Sequence, residues 1–367
     1  MRAAQATEAG VAQIASGPRP PTAIDLFAGA GGMTCGLKGA GFTVIGAVEV
    51  DPIAVATYRA NHKKVRMFCG DIRRLAAKRV MKQLRLKPGD LDLLAGCPPC
   101  QGFSTLTTHN GNLQVDDPRN DLIKDYVRFV RVLRPKAVLM ENVPGLMLDP
   151  LMAIALATLE RLGYPVKTGT RIANAVDFGV PQQRRRMVMI AVKGGSVAVP
   201  PSIATKMTVR EALAGMPKAG SSGDPLHDHG EHRTAAIRTL IKLIPKNGGS
   251  RLDLGPDLQL GCHQRTDGFY DIYGRMSWDR PAPTITSGCT NPSKGRFLHP
   301  SEHRAITLRE AALLQAFPRR YRFDNTAGKE AIAAMIGNAL PPPLVRAHAK
   351  EIARTLRRRT TARHLAR

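Results

Sequence analysis

Short apolar runs alternate with helix-forming stretches along the first half of the chain. TAIDLFAGAGG (22–32) is typical of a strand ending in a glycine-rich turn, and MTCGLKGAG, which follows, can form a helix. Strand-like runs then recur at TVIGAVEVD (43–51), VRMFCGDI (65–72), LDLLAGCPP (91–99) and KAVLMENVP (136–144). Helix-forming segments follow most of them. This alternation predicts a mostly parallel α/β sheet with helices on both faces.

Two later apolar stretches, 166–176 and 185–192, indicate an antiparallel edge to the same sheet. Functional loops are then expected at the carboxyl ends of the parallel strands, where open α/β sheets bind ligands. From about residue 194 the alternation stops, and stretches rich in Gly, Pro, Ser and His predict a second, loop-rich module. Helical patterns return at 307–317 and 344–359, the latter with a basic end.

Composition adds a constraint on partners. The 54 Lys and Arg residues outnumber the 29 Asp and Glu residues, and the net charge of +25 favours a polyanion such as nucleic acid. A generally basic protein from a biased genome explains the charge alone equally well. No apolar run approaches the roughly 18 residues of a membrane helix, and the first twenty residues lack the apolar core of a signal peptide. The six cysteines are scattered, so we expect an intracellular protein with free thiols.

The glycine-rich turn does not match a dinucleotide-binding fingerprint, since its glycines lie at 29, 31, 32 and 36 rather than in GxGxxG spacing. Phe27 beside this turn could lie against a ligand. Glu49 and Asp71 end the next two strands, where carboxylates suit a ribose diol and an adenine amino group. Taken singly, each is more often a helix cap or loop carboxylate. Together they favour an adenosine-bearing cofactor without phosphate-binding demands.

The segment GCPPCQGFS (96–104) holds Cys97 and Cys100 in CxxC spacing. A thioredoxin-type redox pair is one interpretation, but QGFS does not continue as a helix. A zinc site is another, but there is no second CxxC, and the histidines lie too irregularly. The third is one nucleophile in a loop stiffened by Pro98 and Pro99, with Cys100 as the candidate and Cys97 as a buried small residue.

Two further stretches carry charged candidates. ENVPG (141–145) puts Glu141 at the end of a strand, as an acid or hydrogen-bonding group near Cys100 or simply as a turn cap. In FGVPQQRRRMVMIAV, Arg184 and Arg186 lie on one side of a strand, where they could clamp a carboxylate or phosphate. The alternative is a solvated basic edge, although the apolar run that follows predicts at least one buried arginine.

These motifs together resemble the DNA (cytosine-5)-methyltransferases. In that family's usual order the chain contains DLFAGAGG, GCPPCQGFS, ENVPG, NAVDFGVPQQRRR, RPAPTIT (280–286) and GNALPPP (337–343), spanning about residues 22–350. The resemblance implies a Rossmann-like α/β domain that binds S-adenosyl-L-methionine and a small, loop-rich target-recognition domain, with duplex DNA between them. The domains expected are a flexible leader at 1–20, a catalytic domain of 21–193 plus 325–367, and a small domain of 194–324. Its target-recognition core is expected at about 218–279.

The resemblance also implies roles for individual residues. Cys100 would add to C6 of a flipped cytosine, Glu141 would hold N3 and the exocyclic amine, and Arg186, with Arg184, would orient Glu141. The residues implied to contact the cofactor are Phe27, Ala28, Gly29, Gly31, Glu49, Asp71, Ile72, Pro98, Leu122 and Asn338. No metal is implied. The expected enzyme is a monomer on DNA of bacterial or phage type, cytoplasmic, with a cognate restriction endonuclease as genetic partner.

Three rival functions remain open at this point. A transfer-RNA cytosine-5 methyltransferase would use the same catalytic motifs. An inactive DNA-binding relative is disfavoured by the intact Cys100, Glu141 and QxRxR (182–186). A nicotinamide oxidoreductase is disfavoured by the glycine spacing.

Overall fold

The computed structural model describes residues 19–99, 121–259, 270–326 and 328–365. Nearly all of the expected leader, as well as Cys100 and part of the expected target-recognition core, lie outside these residues. Among the described residues, no helix is both long and apolar enough to cross a membrane.

A seven-stranded sheet forms the centre of the molecule. Its strands are β1 (Thr22–Leu26), β2 (Thr43–Glu49), β3 (Arg66–Cys69), β4 (Leu93–Gly96), β5 (Ala137–Asn142), β6 (Thr170–Asn174) and β7 (Arg185–Val192). They lie in the order β3-β2-β1-β4-β5-β7-β6, with β1 to β5 parallel and β7 antiparallel to both neighbours. This confirms the predicted Rossmann-like α/β sheet, including its antiparallel edge.

Eleven α-helices lie within the described residues. They are α1 (Gly32–Gly39), α2 (Pro52–Asn61), α3 (Ala77–Gln83), α4 (Leu122–Leu133), α5 (Pro150–Arg161), α6 (Val166–Gly169), α7 (Val209–Leu213), α8 (Ala235–Leu243), α9 (Leu308–Leu314), α10 (Gly328–Asn338) and α11 (Pro342–Leu365). The predicted strand 166–176 is shorter than expected. Val166–Gly169 form helix α6, only Thr170–Asn174 pair with β7, and a 3-10 helix starts at Ala175.

Apolar side chains cover both faces of the sheet. On one face, α3, α4 and α5 bury Val80, Tyr126 and Leu159. On the other face, α1 and α11 bury Leu37 and Ile352. The C-terminal helix thus completes the sheet layer built from the start of the chain.

Close contact between α1 and α11 depends on a glycine. A Cβ at Gly36 would collide with the Cβ of Val345 and lie 2.6 Å from the Pro342 carbonyl oxygen. The fourth glycine of the motif therefore serves helix packing rather than ligand binding.

A third apolar cluster belongs to the loop-rich region. There α7, α9 and α10 pack around Val209, Leu314 and Ile332. Helix α10 packs with this region, whereas α11 packs on the sheet. The expected boundary between residues 324 and 325 assigns both helices to the catalytic domain, and it stays a prediction.

Candidate active site

The glycine-rich turn after β1 has left-handed backbone at Phe27, Gly29 and Gly31, with φ of 60°, 52° and 95°. Gly31 is the N-cap residue of α1, and a Cβ there would lie 2.6 Å from His62 Nε2 and 2.7 Å from the Tyr321 hydroxyl. A Cβ at Gly29 would meet nothing within 4 Å. Side chains of the protein therefore fill the space next to Gly31, whereas the space next to Gly29 is free for a ligand.

Glu49, at the end of β2, is tied to this turn. Its Oε2 accepts a hydrogen bond from the Gly29 N–H at 2.7 Å. Its Oε1 accepts from the N–H groups of Val50 at 2.8 Å and Asp51 at 2.9 Å. Three backbone donors fix the carboxylate, and one lone pair on Oε2 stays available for a ligand hydroxyl.

Asp71 and Ile72 follow β3. The guanidinium of Arg73 donates to both carboxylate oxygens of Asp71 and holds the pKa of that carboxyl below its usual range. Ile72 is buried, and its carbonyl oxygen accepts from Arg128 at 2.6 Å. This part of the strand edge is thus rigid, but its acid is already engaged by an arginine.

Asn142 joins the ends of β4 and β5. Its Nδ2 donates to the Pro98 carbonyl oxygen at 2.8 Å, and its Oδ1 accepts from the Val143 N–H. Because Pro98 lies two residues before Cys100, this bond fixes the backbone just before the expected nucleophile.

Glu141, directly before Asn142, is the buried carboxylate of the strand edge. It is 7 % exposed, and one of its oxygens lies 3.1 Å from Arg186 Nε. The antiparallel register, which pairs Glu141 with Val188, brings the arginine alongside. The Arg186 side chain also donates to the Arg185 carbonyl oxygen at 2.7 Å. The structure therefore brings Glu141 and Arg186 together as one ion pair.

The thiol of Cys97 lies near this pair. Burial raises the pKa of Cys97 well above its ordinary value, and the neighbouring Glu141 carboxylate raises it further. Cys97 therefore stays a protonated thiol at neutral pH, which suits a packing role rather than a nucleophile.

Arg184 is the buried arginine expected from the apolar run, but it does not contact Glu141. Its guanidinium donates to the carbonyl oxygens of Ile285 at 2.9 Å, Gly337 at 2.9 Å and Ala339 at 3.3 Å. Within the described part of the chain it has no carboxylate partner. Burial, and next the charge of Arg186, lower its pKa to about 9. Its expected part in orienting Glu141 stays a prediction, since the visible contacts are with backbone.

Two buried glutamines, which the sequence analysis missed, complete this arrangement. Gln182 donates to the Gln315 side chain at 3.0 Å and accepts from the Ile285 N–H at 2.9 Å. Gln315 donates to the Ile336 carbonyl oxygen at 2.6 Å. We call Gln182, Arg184 and Gln315 the junction, because they join the approach to β7, the 282–287 segment, α9 and the end of α10. The QxRxR spacing was a signal for Gln182, whereas Gln315 gave none.

Asp25, the first residue of the motif DLFAGAGG, was also missed. It is fully buried beneath the turn, where its Oδ2 accepts from the Thr34 hydroxyl at 2.7 Å. Its Oδ1 has no hydrogen-bond partner among the described residues. Burial raises the pKa of Asp25 to about 7, and the Glu49 charge also raises it, while the Thr34 hydrogen bond opposes the shift.

The other expected cofactor residues lie apart from these contacts. Ala28 is buried in the turn, and its N–H donates to the Val48 carbonyl oxygen at 3.0 Å. Leu122 is buried at the start of α4, and Asn338 is exposed at the end of α10. Among the described residues, no group of three or more His, Cys, Asp or Glu side chains could hold a metal ion.

The sheet order and the glycine-rich turn define a class of protein, the methyltransferases of Rossmann-like fold. Two solved structures support this class. One is a protein encoded within an E. coli prophage and described as a DNA modification methyltransferase, with a TM-score of 0.67 and 26 % identity over 92 % of this chain and 99 % of that one. The other is the S. pombe Dnmt2 methyltransferase, whose TM-score of 0.59 at 19 % identity, over 92 % and 99 % of the two chains, shows the fold.

The family follows from the sequence comparison. Residues 22–354 match the model of the C-5 cytosine-specific DNA methylases, and the chain belongs to this family of enzymes. It is 34 % identical to the Type II methylase M.HgiDII of Herpetosiphon aurantiacus, over 91 % of this chain and 95 % of that protein. It is 36 % identical to the Type II methyltransferase M1.HphI of Haemophilus parahaemolyticus, over 90 % and 86 %. The resemblance seen in the motifs is thereby confirmed.

Proposed function

We propose that this protein transfers a methyl group from S-adenosyl-L-methionine to C5 of a cytosine flipped out of a short duplex DNA sequence. The observation that carries the proposal is the buried Glu141 carboxylate, paired with Arg186 at the same sheet edge as the glycine-rich turn. A base and an adenosine cofactor can meet at this edge, because the carboxyl ends of β1, β2, β4 and β5 converge there.

The residues around the turn fit the cofactor. Gly29 borders open space, and Glu49 is held so that it retains a lone pair for a ribose hydroxyl. An adenine amino group at Asp71 must compete with the guanidinium of Arg73. When bound, S-adenosyl-L-methionine supplies an electrophilic methyl group on a sulfonium.

Cytosine C5 is a weak nucleophile, and addition of a thiolate to C6 makes C5 more nucleophilic. Addition of the Cys100 sulfur to C6 forms an S–C6 bond and moves the electron pair of the C5–C6 double bond toward C5. The methyl group would bond to C5 through this electron pair as its bond to the sulfonium breaks. Loss of the C5 proton to a base then re-forms the C5–C6 double bond, and the S–C6 bond breaks to release the Cys100 thiolate. The raised pKa of Cys97 supports Cys100 as the attacking thiol of the pair.

Glu141 and Arg186 stabilise the charge that moves through the ring. The carboxyl of Glu141 hydrogen-bonds N3 and the exocyclic amine, while Arg186 orients that carboxyl and reaches the base O2. Their ion pair lies in a largely buried setting, where a preformed polar site has most effect. Arg184 supports this pair indirectly, because its hydrogen bonds to backbone carbonyl oxygens fix the residues just before β7.

The target base must leave the duplex to reach Glu141, because its C5 and C6 are stacked inside the helix. The segment 218–279 supplies base recognition, and the enzyme acts as a monomer on DNA in a bacterial or phage-type cytoplasm. The Type II names of the relatives support a cognate restriction endonuclease as genetic partner.

Methyl transfer from labelled S-adenosyl-L-methionine to mixed-sequence duplex DNA and to total transfer RNA tests the function. Base-resolution mapping of 5-methylcytosine follows. We expect label in DNA at one short sequence context. Label only in RNA would mean that transfer RNA, and not DNA, is the substrate. Label in neither would contradict the proposed activity.

Cys100→Ser tests the nucleophile. The hydroxyl does not ionise near neutral pH, so methyl transfer should be abolished while binding of S-adenosyl-L-methionine, measured by calorimetry, changes little. Cys97→Ala is the matched control and should keep most activity. A fully active Cys100→Ser protein would contradict the covalent mechanism. An inactive Cys97→Ala protein would indicate that both thiols take part.

A further inference from the structure

The last helix, α11, carries far more positive than negative charge. Residues Pro342–Leu365 contain six Arg and one Lys against a single Glu. Four of these cations, Arg346, Lys350, Arg354 and Arg358, follow each other at intervals of four residues and are all exposed. This spacing puts them on one side of the helix, and we call the set the basic stripe.

The basic stripe is unfavourable for the helix by itself. Like charges four residues apart repel each other on a helix surface. Glu351 pairs with Arg354 at 2.7 Å, but no ion pair joins Arg346, Lys350 or Arg358 to an acid elsewhere in the described ranges. The helix dipole favours cations only near the last turn, so it does not explain Arg346 and Lys350. A polyanionic partner does explain the arrangement, because it would neutralise the three remaining charges at once.

The stripe is held rigidly on the molecule. The apolar side of α11, with Leu344, Ile352 and Ala353, is buried against the sheet. Near its other end, Arg359 donates to the Lys193 carbonyl oxygen at 2.5 Å and the Gly194 carbonyl oxygen at 2.7 Å. The neighbouring glycine makes this possible, since a Cβ at Gly195 would collide with the Arg359 guanidinium. The cations are therefore presented in a fixed row rather than on a loose tail.

The Arg358 end of this row lies away from the proposed catalytic edge. Arg359 is bound just after the end of β7 at Val192, whereas Arg186 meets Glu141 near the start of that strand. Six residues of strand separate the two points by about 20 Å. The family match ends at residue 354, so the last three turns of α11 also lie beyond it.

We propose that the basic stripe is a second DNA-binding surface, which contacts backbone phosphates of duplex DNA outside the catalytic cleft. From Arg346 to Arg358 it spans about 18 Å of helix, which matches the rise of roughly five base pairs. Contacts of this kind are independent of base sequence and keep the enzyme on long DNA between target sites. The inference rests on DNA being the substrate, as in the proposed function.

A charge-removal variant of the full-length protein tests the stripe. In the stripe variant, Arg346→Gln, Lys350→Gln, Arg354→Gln and Arg358→Gln are combined. In the matched control, Lys63→Gln, Lys64→Gln, Lys78→Gln and Lys82→Gln remove the same charge from other exposed positions. Circular dichroism on both should show unchanged helix content, because all eight side chains are exposed.

Binding to kilobase-length duplex DNA without the target sequence is then measured against salt concentration. The wild-type and control proteins should show the same slope of log affinity against log salt. In the stripe variant the magnitude of that slope should be smaller by about three to four, since each phosphate contact contributes roughly 0.9. Its affinity should fall at least tenfold at low salt. A slope and affinity equal to those of the control would overturn the proposal.

Methylation assays separate the two proposals. On a short duplex of about 14 base pairs carrying the mapped target, the stripe variant should match wild-type kcat and KM. On long DNA carrying the same target, its kcat/KM should fall several-fold. An equal loss on both substrates would place the stripe in target binding and refute a separate surface. If no protein methylates DNA yet the salt slope still depends on the stripe, the proposed function fails while this inference stands.

Discussion

Arg184 and Arg186 lie two residues apart in one chain segment, yet their side chains have different surroundings. Arg186 meets the Glu141 carboxylate at the strand edge. Arg184 points into the junction, where it meets only carbonyl oxygens, two of them at the end of α10. The carbonyl groups at a helix C-terminus carry partial negative charge, which offsets a buried cation without an acid. One short motif thus contributes to the proposed catalytic pair and to the junction, and the two arginines should respond differently to substitution.

The largest difference is expected for Glu141→Gln. The amide keeps the shape but cannot carry the negative charge that pairs with Arg186, so methyl transfer in single turnover should fall by about 10²- to 10³-fold. Chemical denaturation should show a smaller loss of stability than for Arg184→Met, because the amide oxygen of Gln can still accept a hydrogen bond from Arg186. A variant that loses its fold instead would show that Glu141 has a packing role, like the residues of the junction.

Arg184→Met should show the opposite pattern. Removing the guanidinium leaves three buried carbonyl oxygens without their donor, and the free energy of unfolding should fall by about 3–5 kcal/mol. Urea denaturation measures this loss. Arg184→Lys should recover little of it, since an ammonium cannot reach all three oxygens in one plane. A stable but inactive Arg184→Met protein would assign this arginine directly to the chemistry.

Asp25 sharpens the comparison, because it is a buried acid without a cation, as Arg184 is a buried cation without an acid. Its folded-state pKa of about 7 lies above the ordinary value of 3.8, so the folded protein binds more protons than the unfolded chain between those limits. Stability should therefore fall as pH rises from about 4 to 7, by at most about 4 kcal/mol, and then level off.

Asp25→Asn should remove this dependence. The difference in unfolding free energy between variant and wild type, measured at pH 5 and pH 8, isolates the contribution of Asp25 from that of other titrating groups. The variant should gain stability relative to wild type at pH 8. An identical difference at both pH values would mean that the Asp25 carboxyl titrates normally.

The smallest effects are expected at the two glutamines of the junction. Gln182→Leu and Gln315→Leu each remove buried hydrogen bonds and should cost about 1–2 kcal/mol. The double variant should lose less than the sum of the two, because the side chains bond each other. Strict additivity in urea denaturation would show that they act independently.

Local patterns predicted the sheet, because strand alternation is a short-range signal. The contact between Glu141 and Arg186 was implied by the family resemblance, and local patterns alone left the partners of both residues open. The partners of Arg184 and Gln182 could not be predicted in this way, since Ile285 and Gln315 lie more than a hundred residues away in the chain. The burial of Asp25 depends likewise on helices packed above it rather than on its own neighbours.

The close contact of α1 with α11 has a consequence for synthesis on the ribosome. Helix α1 packs against α11, which is translated much later, and a Cβ at Gly36 would collide with Val345 of that helix. One face of the early strands therefore stays uncovered until α11 has been made, and pairing at such long sequence separation is slow. A nascent chain without α11 lacks this layer of the fold.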